Sequence, residues 1–325
     1  MASFRTEIKL EPSRSAINHA DSIVTIGSCF SDSIGNKLLQ NKFLTAVNPL
    51  GTIYHPIGIA KSVGNALKGE INPNHFTHHR ERWFHFDFHS RFSGADKEEL
   101  RRKLEAAQAD LKDAVLQAKW ILITAGTAWG YKRISSGETA VNCCQAPGKE
   151  FEKRLYSIGE MTSSFQKMRD EIGRVNPSLQ WILTVSPVRH LNDGLEGNAV
   201  SKSALRLFCH QLTFENVFYF PAYEIMTDDL RDYRFYSRDM IHPSEEAADY
   251  IWEKFSEQFF AKETADIMRR WQRVRKSLLH RPFNPSGASH EKFLNQMREE
   301  LLLLQSSVDV KEELKRIEEN LTRIK

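Results

Sequence analysis

The residues best suited to chemistry stand in two short stretches far apart in the chain. Gly27-Ser28-Cys29-Phe30 follows the β-branched run Ile23-Val24-Thr25-Ile26 and precedes residues 32–39, whose apolar positions recur at helical spacing. That pattern reads as strand, tight turn and helix. A serine in such a turn has its hydroxyl exposed above the sheet end, where N–H groups of the turn and helix start can face a developing oxyanion. The same serine is a favoured helix N-cap, so alone it does not specify a nucleophile. The second stretch, Arg238-Asp239-Met240-Ile241-His242-Pro243-Ser244, precedes an amphipathic segment over 245–259. An Asp three residues before a His on one irregular loop can hold the imidazole in the tautomer that takes a proton from a serine hydroxyl. The plainer reading of that loop is a cap in which Asp239 bonds backbone. Ser28, His242 and Asp239 together supply the parts of a nucleophile, base and orienter.

Elements that could position these residues recur along the chain. Residues 120–124 and 181–185 are apolar runs that read as buried strands of a parallel sheet, and 217–220 reads as a fourth after 23–26. Residues 100–119 place Leu104, Ala107, Leu111 and Val115 on one helical face, and 151–173 repeats that pattern more loosely. Strands alternating with helices predict right-handed βαβ units and a mostly parallel, doubly wound α/β sheet, with its ligand site outside the C-terminal strand ends. Both motifs fall at such ends. Residues 76–92 are dense in aromatics and histidines, with Phe84, Phe86 and Phe88 alternating against His85, Asp87 and His89, which predicts one extra strand or hairpin. Near His280 the character changes: HRPFNPSGAS reads as a linker, and the Leu/Ile spacing and Glu/Lys content beyond it suit one or two amphipathic helices. These form an antiparallel pair, a short coiled coil or a helix lying against its own domain. The expected organisation is one α/β domain over 1–280, with the linker and helices over 281–325.

Composition narrows the function classes. With 45 Lys plus Arg against 42 Asp plus Glu, a net charge of +3 over 325 residues is too small to mark a phosphate-backbone binder, so nucleic acid is not an expected partner. Cys29, Cys143, Cys144 and Cys209 form no CxxC pair, and the adjacent Cys143 and Cys144 are too close for an ordinary disulfide. His75, His78, His79, His85 and His89 come without an HExxH or facial-triad pattern, so no metal and no cofactor are expected. Charged residues interrupt the first dozen positions, and no apolar run approaches the ~20 residues that span a bilayer. A cytoplasmic, soluble protein without a membrane span is the expectation.

The chain resembles the GSCFA proteins, a bacterial group allied to the SGNH or GDSL-like hydrolases and named after the motif at Gly27 to Phe30. Further blocks are similar in the family's order: Asn48-Pro49-Leu50-Gly51-Thr52-Ile53-Tyr54-His55-Pro56, Gly126-Thr127-Ala128-Trp129, Val141-Asn142-Cys143, Ser186-Pro187-Val188-Arg189-His190 and Asp239 to Pro243. The resemblance, over roughly residues 5 to 255, implies a three-layer α/β/α fold of the flavodoxin-like, SGNH-hydrolase-like kind. It implies Ser28 as nucleophile, His242 as general base and Asp239 as its orienter. Gly51 matches the glycine that aids the oxyanion in that pattern, whereas Ala128 stands where a GxND block would place an asparagine. Thr127 or Asn142 is the expected replacement. Cys144 also departs from the Asn-Cys-His usual in the third block.

His55, Trp129, Arg189 and His190 are expected to contact substrate, although a strand-end Arg also pairs readily with a local carboxylate such as Asp193. The resulting expectation is a serine esterase working through an acyl-enzyme on a small acyl ester, first of all an O-acetylated carbohydrate. A non-catalytic glycan- or protein-binding module using the same cleft, and an O-acyltransferase, are the alternatives. The C-terminal helices are a candidate surface for homo-oligomer formation.

Overall fold

The computed structural model of the chain describes residues 6–212, 214–279 and 287–324. The elements follow as β1 (Ser22–Gly27), α1 (Cys29–Gln40), β2 (Leu44–Val47), α2 (Pro56–Lys68), β3 (Phe76–His79), β4 (Arg82–His85), α3 (Lys97–Gln117) and β5 (Trp120–Ala125). Next come β6 (Trp129–Arg133), β7 (Thr139–Ala140), β8 (Phe151–Leu155), α4 (Ile158–Gly173), β9 (Gln180–Val185), α5 (Gly194–Gln211) and β10 (Val217–Phe220). The chain continues through the single turn α6 (Ala222–Glu224) to α7 (Glu245–Phe259), α8 (Lys262–Leu278), α9 (Ala288–Leu304) and α10 (Lys311–Ile324).

The central sheet has the order β10-β9-β5-β1-β2 with every neighbouring pair parallel. From β1 the chain steps outward to β2 on one side, and β5, β9 and β10 follow on the other. The order therefore reverses between β1 and β5, and a doubly wound sheet opens its ligand crevice at such a switch point. Alternation of side chains along each strand builds two layers of core. Val24, Ile26, Ile121 and Ile123 pack with α2, α3, α4 and α5, while Ile23, Trp120 and Leu122 pack with α1 and α7. The three-layer α/β/α expectation describes what the chain does.

One local reading is corrected, and the extra strand or hairpin expected in the aromatic segment is found as a hairpin. Residues 151–173 are not one helical stretch, because β8 pairs antiparallel with β6 and α4 begins only where Ser157 and Glu160 form a reciprocal capping box. The aromatic segment makes a β3–β4 hairpin that stops at His85, short of Phe86 and Phe88. Beyond it, buried Asp87 meets Lys61 at 2.7 Å and His75 at 2.8 Å, so these groups knit the hairpin to α2. The edge strand β2 and the antiparallel β6–β8 layer were not expected at all.

The linker expected from His280 lies outside the described residues as far as Ser286. On its far side, α9 and α10 fold onto α8 of the same chain through a third apolar cluster centred on Trp271, Leu301 and Ile317. Trp271 donates its indole N–H to Gln40 O at 2.8 Å, and Lys42 meets Glu313 at 2.8 Å, which ties this cluster to the end of α1.

Candidate active site

Gly27 ends β1 with φ +144°, and a Cβ there would stand 2.2 Å from Thr124 O, so only glycine lets the chain turn this close to β5. Asn48 fixes the turn from the other side: its Oδ1 accepts from Gly27 N at 2.8 Å and its Nδ2 donates to Asp32 at 2.7 Å. Ser28 is then the N-cap of α1, with its Oγ accepting the Phe30 N–H at 3.3 Å and only 1% of the residue exposed. The hydroxyl expected above the sheet is instead drawn into the helix start. The next residue, Cys29, opens the helix and remains partly exposed.

Asp239 and His242 reach this turn from the loop before α7. Asp239 Oδ1 accepts the Ile241 and His242 N–H groups at 2.9 and 3.0 Å, and its Oδ2 meets His242 Nδ1 at 2.7 Å. Met240, with φ +58°, allows the tight turn between them. The His242 bond first, and then those two N–H groups, hold the Asp239 carboxyl down at about 2. Carboxylate and imidazole are each about half exposed, at 47% and 48%, and so open to a substrate. The other imidazole nitrogen, Nε2, stands 3.5 Å from Cys29 Sγ. An Asp–His–thiol relay is therefore assembled across the switch point, with the base able to take the thiol proton.

The groups acting on that thiol oppose one another. On balance the thiol lies above its ordinary value: burial and then Asp32 push it up, and its own N–H, Lys202 and the Phe30 N–H offset them only in part. Helix-start N–H groups facing a sulfur favour the anion, since α1 presents its positive end there.

Four residues are expected to contribute to an oxyanion site, and one of them, Ser28, donates its backbone N–H to Thr124 O at 3.1 Å. Gly51 donates its N–H to Asn48 O at 2.8 Å within its own turn. Thr127 is buried, and its Oγ1 bonds Ser201 Oγ and the Trp129 N–H, both at 3.1 Å. Asn142 uses its Oδ1 to cap Cys144 N at 2.7 Å.

Of the expected substrate contacts, His55 is withdrawn: it caps α2 through Nδ1 to Ile57 N at 3.1 Å, and burial pushes its imidazole down to about 4. Trp129 is half-buried, with its indole N–H held by Gly197 O at 3.1 Å. Among the described residues, Arg189 makes no ion pair with a carboxylate, and Asp193 binds Lys153. The Arg189 guanidinium lies 3.8 Å over the Tyr236 ring and its backbone N–H donates to Ile241 O at 3.1 Å, so it buttresses the Asp239–His242 loop. His190 stays near the turn, edge-on to Tyr54 at 5.5 Å between ring centres.

Sequence reasoning missed three residues here. Cys29 is one of them: it follows Ser28 in the same turn and reaches His242 because Ser28 takes the cap position of α1. Tyr54 closes on Gly126, where a Cβ would stand 3.0 Å from the Tyr54 ring and 3.2 Å from Ser28 Cβ. Lys202 falls on the buried stripe Asn198, Ser201, Lys202, Leu205, Phe208 and Cys209 of α5, an unusual place for a cation that helical spacing alone would have flagged.

Among the described residues, no helix is long and apolar enough to cross a membrane, and no group of three or more His, Cys, Asp or Glu side chains is arranged to hold a metal. No curated protein matches the sequence. Two solved structures show limited similarity. One is described as "a putative platelet activating factor from Streptococcus pneumonia", at 11% identity and TM-score 0.38, covering 73% of this chain and 83% of that one. The other is a carbohydrate esterase family 3 protein from Talaromyces cellulolyticus, at 9% identity and TM-score 0.35, covering 76% and 97%. The model of the GSCFA family matches residues 22–255, which hold every residue of the relay, and that of the GSCFA domain protein C-terminal domain matches 271–323, the region of the third apolar cluster. The chain belongs to the GSCFA family.

Proposed function

We propose that the protein is an acyl hydrolase that forms a covalent intermediate on Cys29, with His242 as general base and Asp239 as its orienter. The observation that carries this reading is the continuous contact from Asp239 Oδ2 to His242 Nδ1 at 2.7 Å and from His242 Nε2 to Cys29 Sγ at 3.5 Å. In the first half-reaction the Cys29 proton passes to His242 Nε2 while the sulfur attacks the carbonyl carbon of an ester. The tetrahedral oxyanion collapses, the C–O bond breaks, and the alcohol leaves with the proton from His242. Water then gives a proton to His242 and attacks the thioester, releasing the acid and restoring the thiol. Asp239 stays ionised throughout and steadies the imidazolium.

This reading moves the nucleophile one residue on from Ser28, whose Oγ accepts the Phe30 N–H at 3.3 Å, because it is Cys29 Sγ that stands against His242 Nε2. The family and the exposed edge of the site suit a small ester such as an O-acetylated carbohydrate, and an acceptor alcohol in place of water would make the same intermediate an acyltransferase. The test is to incubate the full chain with p-nitrophenyl acetate and to locate the acetyl group by mass spectrometry in wild type, Cys29→Ala, Ser28→Ala and His242→Ala. Acetyl on Cys29 that persists in Ser28→Ala and is lost in His242→Ala supports the assignment. An adduct on Ser28 restores the serine mechanism, and no adduct in a folded sample leaves the cleft as a binding module.

A further inference from the structure

Arg189 stands just beyond the C-terminal end of β9 and reaches the loop that carries the base. Its backbone N–H donates to Ile241 O at 3.1 Å and its Nη1 to Met240 O at 3.4 Å, which fastens the guanidinium to the His242 loop. The guanidinium carbon lies 3.8 Å from the centre of the Tyr236 ring and 5.4 Å from that of Tyr233. Those rings hold the flat group in place and displace part of its hydration, but they supply no anion. Among the described residues, Nη1 is the one side-chain nitrogen of Arg189 with a hydrogen-bond partner, so the donors on Nε and Nη2 are open. The carboxylates on the flanking segments are bound elsewhere. Asp193 binds Lys153, Asp228 meets Arg231 at 3.3 Å, Asp232 meets Arg234 at 3.9 Å and Asp239 meets His242 at 2.7 Å. The side chains of Arg231 and Arg234 are 80% and 74% exposed, where an ion pair adds little. Half-buried Arg189 gains more from a counter-ion and has none among the described residues.

We infer that Arg189 is the anion clamp of this site: the ester that fits it is an acylated hydroxy acid, whose carboxylate lies on the alcohol part and takes the open Nε and Nη2 edge of Arg189 while Cys29 meets the acyl carbon. The inference rests on the acyl-hydrolase reading and adds the class of alcohol to it. In that reaction the leaving oxygen takes its proton from His242, so the alcohol part lies over the His242 loop, and that loop is where Arg189 is fastened. A guanidinium edge offers two parallel N–H groups that match the two oxygens of a carboxylate, a fit that the point charge of a lysine does not give. The tyrosines and the loop carbonyl already fix the side chain, so binding costs little further ordering. An O-acetylated acidic sugar is one such ester, whereas a neutral ester leaves the guanidinium without its partner. Arg189 is then a specificity-determining residue as well as a brace for the loop.

The experiment compares two esters on the full chain: 4-acetoxybenzoate, which carries the anion on its alcohol part, and 4-acetoxybenzamide, which has nearly the same shape and no charge. The readout is the ratio of their kcat/KM values in wild type, Arg189→Gln and Arg189→Lys. Any slackening of the loop slows both esters alike, so the ratio reports the charge. Hydrogen bonds between charged partners are the strong ones, so the ratio should fall by about ten- to a hundredfold in Arg189→Gln, mainly through KM, and recover in part in Arg189→Lys. A ratio in folded Arg189→Gln within about twofold of wild type overturns the inference and leaves Arg189 a brace only. Titration calorimetry with the product alcohols, 4-hydroxybenzoate and 4-hydroxybenzamide, separates the clamp from the hydrolase reading. If wild type cleaves neither ester, the hydrolase reading fails. The clamp then stands if the acid binds about tenfold or more tighter than the amide and loses that preference in Arg189→Gln, and it falls if the two bind alike.

Discussion

Replacing Asp239 by Asn asks whether His242 works through a fixed tautomer. The carboxylate accepts three bonds, two on Oδ1 from the Ile241 and His242 N–H groups at 2.9 and 3.0 Å and one on Oδ2 from His242 Nδ1 at 2.7 Å. An amide keeps its oxygen for the two backbone groups and turns its NH₂ toward Nδ1. Nδ1 must then accept, the ring proton moves to Nε2, and the nitrogen 3.5 Å from Cys29 Sγ becomes a donor that cannot take the thiol proton. The same change in a Ser-His-Asp site costs about 10⁴ in kcat with its geometry intact; a thiol ionises more readily than a hydroxyl, so a loss of about 10²–10⁴ is expected here. The assay is the initial rate of Cys29 acetylation by p-nitrophenyl acetate, with urea unfolding as control. The side chain is half exposed and its backbone bonds persist, so the unfolding midpoint should stay with wild type. Acetylation within about threefold of wild type would refute the tautomer argument. The Asp239 carboxyl is held at about 2 against an ordinary 3.8, so its contribution to the loop is present above the ordinary range and lost only as pH falls through about 2.

Further outcomes follow from other contacts. Gly27→Ala forces a Cβ to within 2.2 Å of Thr124 O at φ +144°, and urea unfolding should show a loss of about 2–4 kcal/mol; an unchanged midpoint would mean the turn is not held against β5. Trp271→Ala empties the centre of the α8–α10 cluster and drops the bond to Gln40 O, for a loss of about 3–5 kcal/mol in the same assay, and a loss below about 1 kcal/mol would show that these helices do not rely on that anchor. Lys202 binds its proton more weakly folded, at about 7, than unfolded, at 10.5, so wild type should gain stability over Lys202→Met as pH rises from about 7 to about 10. Urea midpoints for the pair at both ends of that range, with no change in their difference, would contradict it.

The sheet was legible because its strands carry continuous apolar runs, as in Trp120 to Ala125, and helices such as α3 carry a clean stripe from Leu100 to Val115. Where the signal is weaker, position in the fold decides. β2 is a half-exposed edge strand of four residues, and β8 reads like the start of α4 until the Ser157 capping box is recognised. The Asp239–His242 contact was legible because both partners lie within one turn of chain. Which of Ser28 and Cys29 meets His242 was not, since that depends on which side chain turns inward to cap α1. Lys202 depends on contacts with two strand ends, at separations of 76 and 16 residues. The neighbours of Arg189 were hidden for a similar reason, since Tyr236 and the backbone around Met240 and Ile241 lie on a loop that only the fold brings alongside.

The thiol and imidazole that meet at the switch point are 213 residues apart in sequence. At a synthesis rate of 5–20 residues per second, Cys29 leaves the ribosome on the order of 10–40 s before His242 exists. During that interval the cysteine has no base beside it and behaves as an ordinary thiol. On the proposed assignment, Cys29 waits for the loop before α7, so a chain stalled short of that loop carries a cysteine without its base.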